Sequence, residues 1–173
     1  MKGLKLAVAI LALGTIFISP KADAKSLFNT RQILISQVTG QIPNSDNEKT
    51  NDAKTYLERG FKRIENKDFK GSIEDFNQVL KIEPNNAYAY LGRGLASFSL
   101  EQYQAAKTDF DKALEITPNI AYAHFFRGYT NYILKDKLGA IADLRKASTL
   151  FKKEGNQEFA QKADNAIQKI QES

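Results

Sequence analysis

The chain contains no cysteine and no tryptophan, and among its 173 residues it has one histidine, one methionine and four prolines. The absence of cysteine excludes disulfides, thiolate-bound metal and a thiol nucleophile. Because His124 is the only histidine, a metal site built from several histidines is excluded too. No glycine-rich phosphate loop is present. We therefore predict no cofactor, no metal and no enzymatic activity, with His124 packed as a structural residue.

Charge and apolar content are both ordinary. Charged residues make up 26% and hydrophobic residues 42% of the chain, as in soluble globular proteins. The formal net charge is +5, but the basic residues alternate with acidic ones along helical patterns. Such an even distribution is weak evidence for binding to nucleic acid, and we expect none.

The N-terminus has the pattern of a secretory signal peptide. Lys2 and Lys5 precede an apolar run over residues 6–18, and the small residues Ala22 and Ala24 follow in an A-x-A arrangement. We predict a signal peptide over residues 1–24 and export to a periplasm, a lumen or the cell exterior. The apolar run is too short for a comfortable membrane span, so no span is expected in the mature chain. A retained N-terminal anchor is the alternative.

A polar leader and linker occupies residues 25–51, and its second half, residues 39–51, reads as a flexible linker. Its first half contains the segment SLFNTRQILISQV, which is too apolar for a plain linker. The apolar residues are Leu27, Phe28, Ile33, Leu34, Ile35 and Val38. This segment is either a loosely held tail or short packing helix, or a piece of chain that covers a groove.

The rest of the sequence repeats three times with a phase of 34 residues and no insertion. Each copy contains two stretches with apolar residues at the three- and four-residue spacing of amphipathic helices. Asn86 and Asn119 are suitable N-cap residues for the first helices of the second and third copies. Proline interrupts between copies at Pro84 and Pro118, but Lys152 stands at the matching place in the third copy, so its second helix is expected to run to about Lys153. Each copy also has a glycine in its first helix (Gly60, Gly94 and Gly128), and the small residues Ser72, Ala106 and Ala140 are expected to face these glycines. Phe76, Phe110 and Leu144 would fill the layer beneath.

A polar pair recurs with the same phase. An arginine precedes each glycine, and an aspartate follows the arginine by sixteen residues in every copy. The predicted turn lies midway between them, so both residues should sit at similar heights on the hairpin. We predict an Arg–Asp ladder, within or between neighbouring copies, because guanidinium and carboxylate geometries match. Its members are Arg59, Arg93, Arg127, Asp75, Asp109 and Asp143.

This pattern resembles the tetratricopeptide repeat family. The resemblance implies an all-α, right-handed α-solenoid over residues 52–171, with repeats at 53–86, 87–120 and 121–154 and a capping helix at 156–170. The sequence departs from the family pattern at Tyr56, Tyr90 and His124, where tryptophan is usual, and it has arginine before each glycine. The Arg-Gly style is similar to that of exported bacterial members, particularly cyanobacterial ones.

In such a solenoid, one face of the first helices would line a concave groove. The predicted groove residues are Leu57, Phe61, Tyr88, Leu91, Phe98, Tyr122, Phe125, Tyr129 and Tyr132. For the leucines, ordinary core packing is an equal alternative. The positions that form a carboxylate clamp in one subtype of the family carry neither charge nor amide here, so an apolar or aromatic partner segment is expected. The third repeat, rich in tyrosine, is predicted to be the principal binding end.

These observations favour a non-catalytic protein–protein interaction module, a scaffold or assembly factor that holds a protein or peptide partner in the groove. The alternative is a self-associating structural oligomer, in which the groove is filled by the chain's own leader or by another copy.

Overall fold

The computed structural model describes residues 48–173, which form seven α-helices and no strand. The predicted signal peptide and almost all of the predicted leader lie outside the described residues. The helices are α1 (Glu48–Glu65), α2 (Phe69–Ile82), α3 (Ala87–Ser99), α4 (Tyr103–Ile116), α5 (Ala121–Ile133), α6 (Lys137–Lys153) and α7 (Gln157–Glu172).

Six of these helices form three hairpins, α1–α2, α3–α4 and α5–α6, and α7 follows the last of them. Helix starts recur with the phase of the sequence, since Ala87 and Ala121 open the first helices and Tyr103 and Lys137 the second helices of successive hairpins. Each hairpin packs on the next through α2 against α3 and α4 against α5, and α6 packs on α7. The predicted all-α solenoid is confirmed.

The turn inside each hairpin uses the same backbone device. Lys67, Glu101 and Lys135 have φ values of 62°, 60° and 72°, in the left-handed region. In each turn the backbone N–H of the following residue donates to a carbonyl five residues earlier, as Asp68 does to Arg63 at 2.8 Å. None of the three positions is a glycine, so each turn carries the steric cost of a side chain at positive φ.

Side chains cap most of the helices. Asp68 and Asp136 accept hydrogen bonds from the backbone N–H groups of Gly71 and Gly139, at 3.0 and 2.8 Å, and so satisfy otherwise unpaired donors. Asn86 caps α3 in the same way, accepting from Ala89 at 2.9 Å. The expectation that Asn119 caps α5 is wrong, because the cap position is Ile120 and it offers no side-chain acceptor.

Each glycine of the first helices lies against the predicted layer of Phe76, Phe110 and Leu144. A Cβ atom added at Gly94 would lie 2.6 Å from Cε1 of Phe110, and one added at Gly60 would lie 2.8 Å from Cε1 of Phe76. A Cβ atom added at Gly128 would lie 2.8 Å from Cγ of Leu144 and 3.2 Å from the carbonyl oxygen of Ala140, the small residue expected to face it. The glycines therefore make room for this layer.

Helix boundaries differ from the predicted ones at both ends. α1 begins at Glu48, inside the stretch predicted as linker, because Glu48, Lys49 and the residues after them are compatible with helix and no proline or glycine interrupts them. α6 extends to Lys153, as the lack of proline in the third copy predicts. α7 runs from Gln157 to Glu172, two residues beyond the predicted end.

α7 covers the C-terminal edge of the third hairpin with one apolar face. Phe159, Ala163 and Ile170 on this face are buried. A salt bridge of 2.8 Å between Lys152 and Asp164 joins α6 to α7 on the solvent side. Within residues 48–173, none of the helices is both long and apolar enough to span a lipid bilayer.

Candidate functional site

The Arg–Asp pairs sit inside the hairpins at fixed geometry. In the second hairpin, Nε and Nη2 of Arg93 donate to the two carboxylate oxygens of Asp109, at 3.0 and 2.7 Å. Arg127 and Asp143 repeat this bidentate contact at 2.8 and 2.6 Å, and Nε of Arg59 donates to Asp75 at 2.9 Å. Each aspartate is buried, whereas the exposed fraction of the arginine side chain falls from 49% at Arg59 to 22% at Arg127, so these charge-assisted bonds are most desolvated in the third hairpin.

The third nitrogen of two of these arginines reaches the preceding hairpin. Nη1 of Arg93 donates to Oδ1 of Asn77 at 2.7 Å, and Nη1 of Arg127 donates to Oδ1 of Asp111 at 2.8 Å. One guanidinium therefore joins the two helices of its own hairpin and also fixes the register between hairpins. Sequence reasoning had left open whether the pairs lie within or between copies, and the structure shows the arginines doing both.

His124 takes part in the ladder. Its Nδ1 lies 3.0 Å from Oδ1 of Asp143, and its Nε2 lies 3.0 Å from the carbonyl oxygen of Pro118. At the matching positions of the earlier hairpins, Tyr56 and Tyr90 lie instead beneath the guanidinium groups of their arginines. The histidine thus links the third hairpin to the turn before it.

Asp143 accepts the largest number of hydrogen bonds among the described carboxylates of the ladder. Besides Arg127 and His124, Nδ2 of Asn131 donates to it at 3.1 Å. Burial acts to raise the pKa of Asp143, but the hydrogen bonds from His124 and Arg127 outweigh it, so the pKa lies below its ordinary value. This carboxylate is ionised and both of its oxygens accept hydrogen bonds, as expected of a structural residue.

The predicted groove residues divide into two sets. The half-buried set has side-chain surface available at the face of the first helices: Tyr88, Phe98, Tyr129 and Tyr132. The buried set is enclosed in the core: Leu57, Phe61, Leu91, Tyr122 and Phe125. The prediction that the buried set forms an accessible groove wall is corrected here, since these side chains are 7% exposed or less.

Contacts in the third hairpin explain the correction for Tyr122 and Phe125. The ring of Tyr122 packs edge-on against Phe151 of α6 and Phe159 of α7, at centroid distances of 4.9 and 5.0 Å. Phe125 meets the same two rings at 5.9 and 5.5 Å. Nδ2 of Asn156 also donates to the Tyr122 hydroxyl at 3.2 Å. The aromatic excess of the third copy therefore serves largely to attach α7.

A second row of rings continues from this core to the half-buried residues. Phe98 of α3 contacts Phe126 of α5 at 5.9 Å, Phe126 contacts Phe125 at 5.4 Å, and Phe125 contacts Tyr129 at 4.9 Å. We call the half-buried residues Tyr88, Phe98, Tyr129 and Tyr132 the aromatic face. The row shows that Phe98 and Tyr129 are backed by close-packed rings, so these two side chains of the face are held in place.

The environment of the face is weakly polar. Burial raises the pKa of Tyr129 well above its usual value, so its hydroxyl stays protonated. Burial also raises the pKa of Tyr88, with a further contribution from the charge of Glu154, which places an acidic group near this edge of the face. Among residues 48–173, no group of three potential metal ligands occurs. The arrangement can offer aromatic contact area to a ligand, while the Tyr129 hydroxyl oxygen itself is buried.

Comparison with known proteins bears on the fold. The family profile of the tetratricopeptide repeat matches residues 87–120, the whole of the second repeat. The TPR2B-domain:pHsp70 complex of yeast Sti1 superimposes with a TM-score of 0.65 and 22% identity, covering 70% of this chain and 97% of that one. The Arabidopsis OM64 TPR domain gives a TM-score of 0.63 and 25% identity, covering 70% and 98%.

The described solenoid has the tetratricopeptide-repeat fold. A third similar structure, PcrH in complex with the chaperone binding region of PopD, has a TM-score of 0.65 and 18% identity over 68% of this chain and 90% of that one. A search of curated proteins gave no match. The family profile covers one of the three repeats and the similar structures show the shared fold, while the resemblance to exported cyanobacterial members stays a prediction.

Sequence reasoning did not assign the contacts of three aromatic residues: Phe126, Phe151 and Phe159. Phe126 links the aromatic rows of the second and third hairpins, although it lies one position beyond the face that was considered. Phe151 and Phe159 take up the rings that had been assigned to the groove. A signal was available, because both residues continue the apolar spacing of α6 and α7 and therefore had to be buried against something.

Proposed function

We propose that this protein is a non-catalytic interaction module that binds an apolar or aromatic segment of a partner protein on the aromatic face. The observation that carries the proposal is the packed row from Phe98 through Phe126 and Phe125 to Tyr129. A face that is preorganised in this way loses little side-chain entropy on binding, and tyrosine offers both contact area and a hydroxyl group.

The similar structures lend support of a general kind. Three of them are complexes: the TPR2B-domain:pHsp70 complex of yeast Sti1, the first TPR of Spaghetti (RPAP3) bound to an HSP90 peptide, and PcrH with the chaperone binding region of PopD. The partner proposed here differs in chemistry from acidic-tail peptides, since Leu57, Phe61 and Gly92 stand at positions where a carboxylate clamp would need charge or amide groups. An acidic C-terminal tail would find no counter-charge at these positions.

The test uses two matched variants. Tyr132→Asp places a charge on the aromatic face, whereas Thr149→Asp places one on the exposed side of α6. We expect affinity capture from extracts of the source cells to recover the same partner with the wild type and with Thr149→Asp. Tyr132→Asp should weaken its binding by roughly 30-fold or more, the size of a hot-spot loss. Equal capture by both variants would show that the partner binds elsewhere.

We also propose that the protein acts outside the cytoplasm. The charged start, the apolar run and the A-x-A pattern before Lys25 support this. Expression with the native N-terminus in a secreting host should yield a mature protein whose mass corresponds to a start at Lys25. A secreted or membrane-bound product that retains residues 1–24 would instead indicate an uncleaved anchor.

A further inference from the structure

We propose that the exposed face of α6, together with the turn before it, binds the surface of an anionic lipid bilayer. The aromatic face lies on the first helices α3 and α5, whereas this surface lies on a second helix, so the inference goes beyond the proposed function. The observations that carry it are an unbalanced charge on α6, two exposed leucines at its start, and the contrast with the matching surface of α4.

The exposed side of α6 carries positive charge without an acidic counterpart. Asp143 is the one acidic residue of this helix, and it is buried in the ladder. The basic residues of the helix, all of them exposed, are Lys137, Arg145, Lys146, Lys152 and Lys153. Of these, only Lys152 forms an ion pair within residues 48–173, with Asp164 of α7 at 2.8 Å. The remaining cations favour a partner surface with a high density of negative charge.

The turn from α5 into α6 exposes two apolar side chains. Leu138 is 83% exposed and Leu134 is 37% exposed, the highest values among the large hydrophobic residues in the described part of the chain. Lys135 and Lys137 stand between them and are exposed, while the intervening acid, Asp136, is engaged in capping α6. A single exposed leucine is ordinary on a protein surface, but leucines interspersed with lysines suit a membrane interface. There the leucine side chains enter the acyl boundary and the ammonium groups stay at the headgroups.

The apolar and basic residues form one stripe along α6. At about 100° per residue, Leu138, Arg145 and Thr149 fall within a sector of about 40°, and all three are exposed. Lys146 and Lys153 flank this line on one side. From Leu138 to Lys153 the stripe is about 23 Å long, at about 1.5 Å per residue. A straight stripe with an apolar start and a basic continuation matches a flat surface whose negative headgroups cover an apolar interior.

The matching surface of the second hairpin shows that the repeat does not require this composition. The residues one phase of 34 earlier than Leu138, Arg145 and Thr149 are Gln104, Asp111 and Glu115. Lysines of α4 pair with both of these acids, at 2.8 and 2.9 Å. Charge is therefore balanced within the surface of α4, while that of α6 is left without counter-ions.

The leucines decide between a bilayer and a nucleic acid as the partner. Both partners carry negative charge, but contacts to phosphate and sugar use charged and polar groups. Leu134 and Leu138 would gain nothing from a phosphate backbone, whereas a bilayer offers an apolar layer directly beneath its headgroups. The composition of this surface therefore favours the bilayer.

A local probe tests the contact directly, because the chain has no cysteine of its own. In the full chain, Ala142→Cys provides an exposed site on α6 for an environment-sensitive fluorophore, and Thr108→Cys provides the matching site on α4. We expect vesicles of equal parts phosphatidylglycerol and phosphatidylcholine to shift the emission of the α6 probe to the blue and to leave the α4 probe unchanged. Vesicles of phosphatidylcholine alone should shift neither probe. An unshifted α6 probe, equal shifts at both sites, or an equal response to both kinds of vesicle would overturn the proposal.

Neutral variants test the contribution of charge. Adding Arg145→Gln and Lys146→Gln to the chain with the α6 probe should raise the lipid concentration needed for half of the shift by roughly 25-fold, because each basic residue near an anionic surface contributes about fivefold in affinity. The control pair Lys70→Gln and Lys81→Gln removes the same charge from the exposed side of α2 and should leave that concentration unchanged. Equal effects of the two pairs would show attraction by net charge alone and would overturn binding through α6.

Two further variants separate a bilayer site from a general site for polyanions and from the aromatic face. Leu138→Gln should raise the same lipid concentration about tenfold, because its side chain no longer enters the acyl boundary. If the charge pair has its effect and Leu138→Gln has none, the surface is a general polyanion site and the bilayer assignment is overturned. Thr149→Asp, the control in partner capture, adds an acid to the stripe and should also weaken vesicle binding. Unchanged vesicle binding by this variant would contradict the stripe and leave the proposed function untouched.

Discussion

Asp143 provides the most demanding test of the Arg–Asp ladder. The two oxygens of this buried carboxylate accept hydrogen bonds from Arg127, His124 and Asn131. Asp143→Asn keeps the shape of the side chain but removes the charge and one acceptor, and it leaves the Arg127 guanidinium, only 22% exposed, without its main counter-ion. Removing one partner of a buried ion pair costs about 3–5 kcal/mol, so we expect a loss of about 3 kcal/mol in the free energy of unfolding.

Asp111 supplies the matched control. It pairs with the same guanidinium through Nη1 at 2.8 Å, but its side chain is 44% exposed. Asp111→Asn should cost about 0.5 kcal/mol, as is usual for exposed pairs. With a urea dependence of about 1.5 kcal/mol per molar, the two unfolding midpoints should fall by about 2 M and 0.3 M, respectively, when followed by circular dichroism. Equal shifts, or a loss below 1 kcal/mol for Asp143→Asn, would refute the view that the ladder is desolvated and structural.

Three further outcomes are expected. Gly94→Ala should lower the free energy of unfolding by about 1–2 kcal/mol in urea titrations, because crowding against the fully buried ring of Phe110 exceeds the gain in helix propensity. A more stable variant would contradict the close packing of Gly94 against Phe110. Lys135→Gly should raise the free energy of unfolding by about 0.5 kcal/mol, visible as a higher melting temperature, because removing the side chain at positive φ relieves more strain than glycine adds in unfolded-chain entropy. A lower melting temperature would count against backbone strain in this turn. The pKa of Asp143 is lower in the folded than in the unfolded protein, so ionised Asp143 stabilises the fold above its unfolded pKa, and this stabilisation is lost as pH falls through its folded pKa. The free energies of unfolding of the wild type and Asp143→Asn should therefore converge at low pH. A constant difference across the pH range would contradict a depressed pKa at Asp143.

The architecture was accessible to sequence reasoning because it is periodic. Helix positions and the alignment of each arginine with its aspartate follow from a phase of 34 residues, which averages out local ambiguity, and the missing proline of the third copy accounts for the longer α6. Asn86 was a sound cap prediction for the same reason, since the turn before it repeats. Ile120 shows the limit: the phase fixes where a helix begins but not whether a side chain caps it.

Accessibility was harder to predict than position. Tyr122 and Tyr132 lie on the same helix and were assigned the same role, yet Tyr122 is enclosed by rings from α6 and α7 while Tyr132 stays half-buried. The difference depends on where α6 and α7 place the rings of Phe151 and Phe159, and that placement is set by packing between helices rather than by a pattern within any one of them.

The aromatic cluster around Tyr122 also bears on the order in which the chain folds. Tyr122, Phe125, Phe151 and Phe159 come from three consecutive helices, so they form contacts of short sequence separation with little loop-closure cost. In a solenoid, where each unit contacts only its neighbours, such a cluster is a natural nucleus from which folding spreads. This nucleus lies C-terminal to the first two hairpins, so it is synthesised after them. The first two hairpins would therefore lack a folded neighbour to pack against until the third hairpin and α7 have been made.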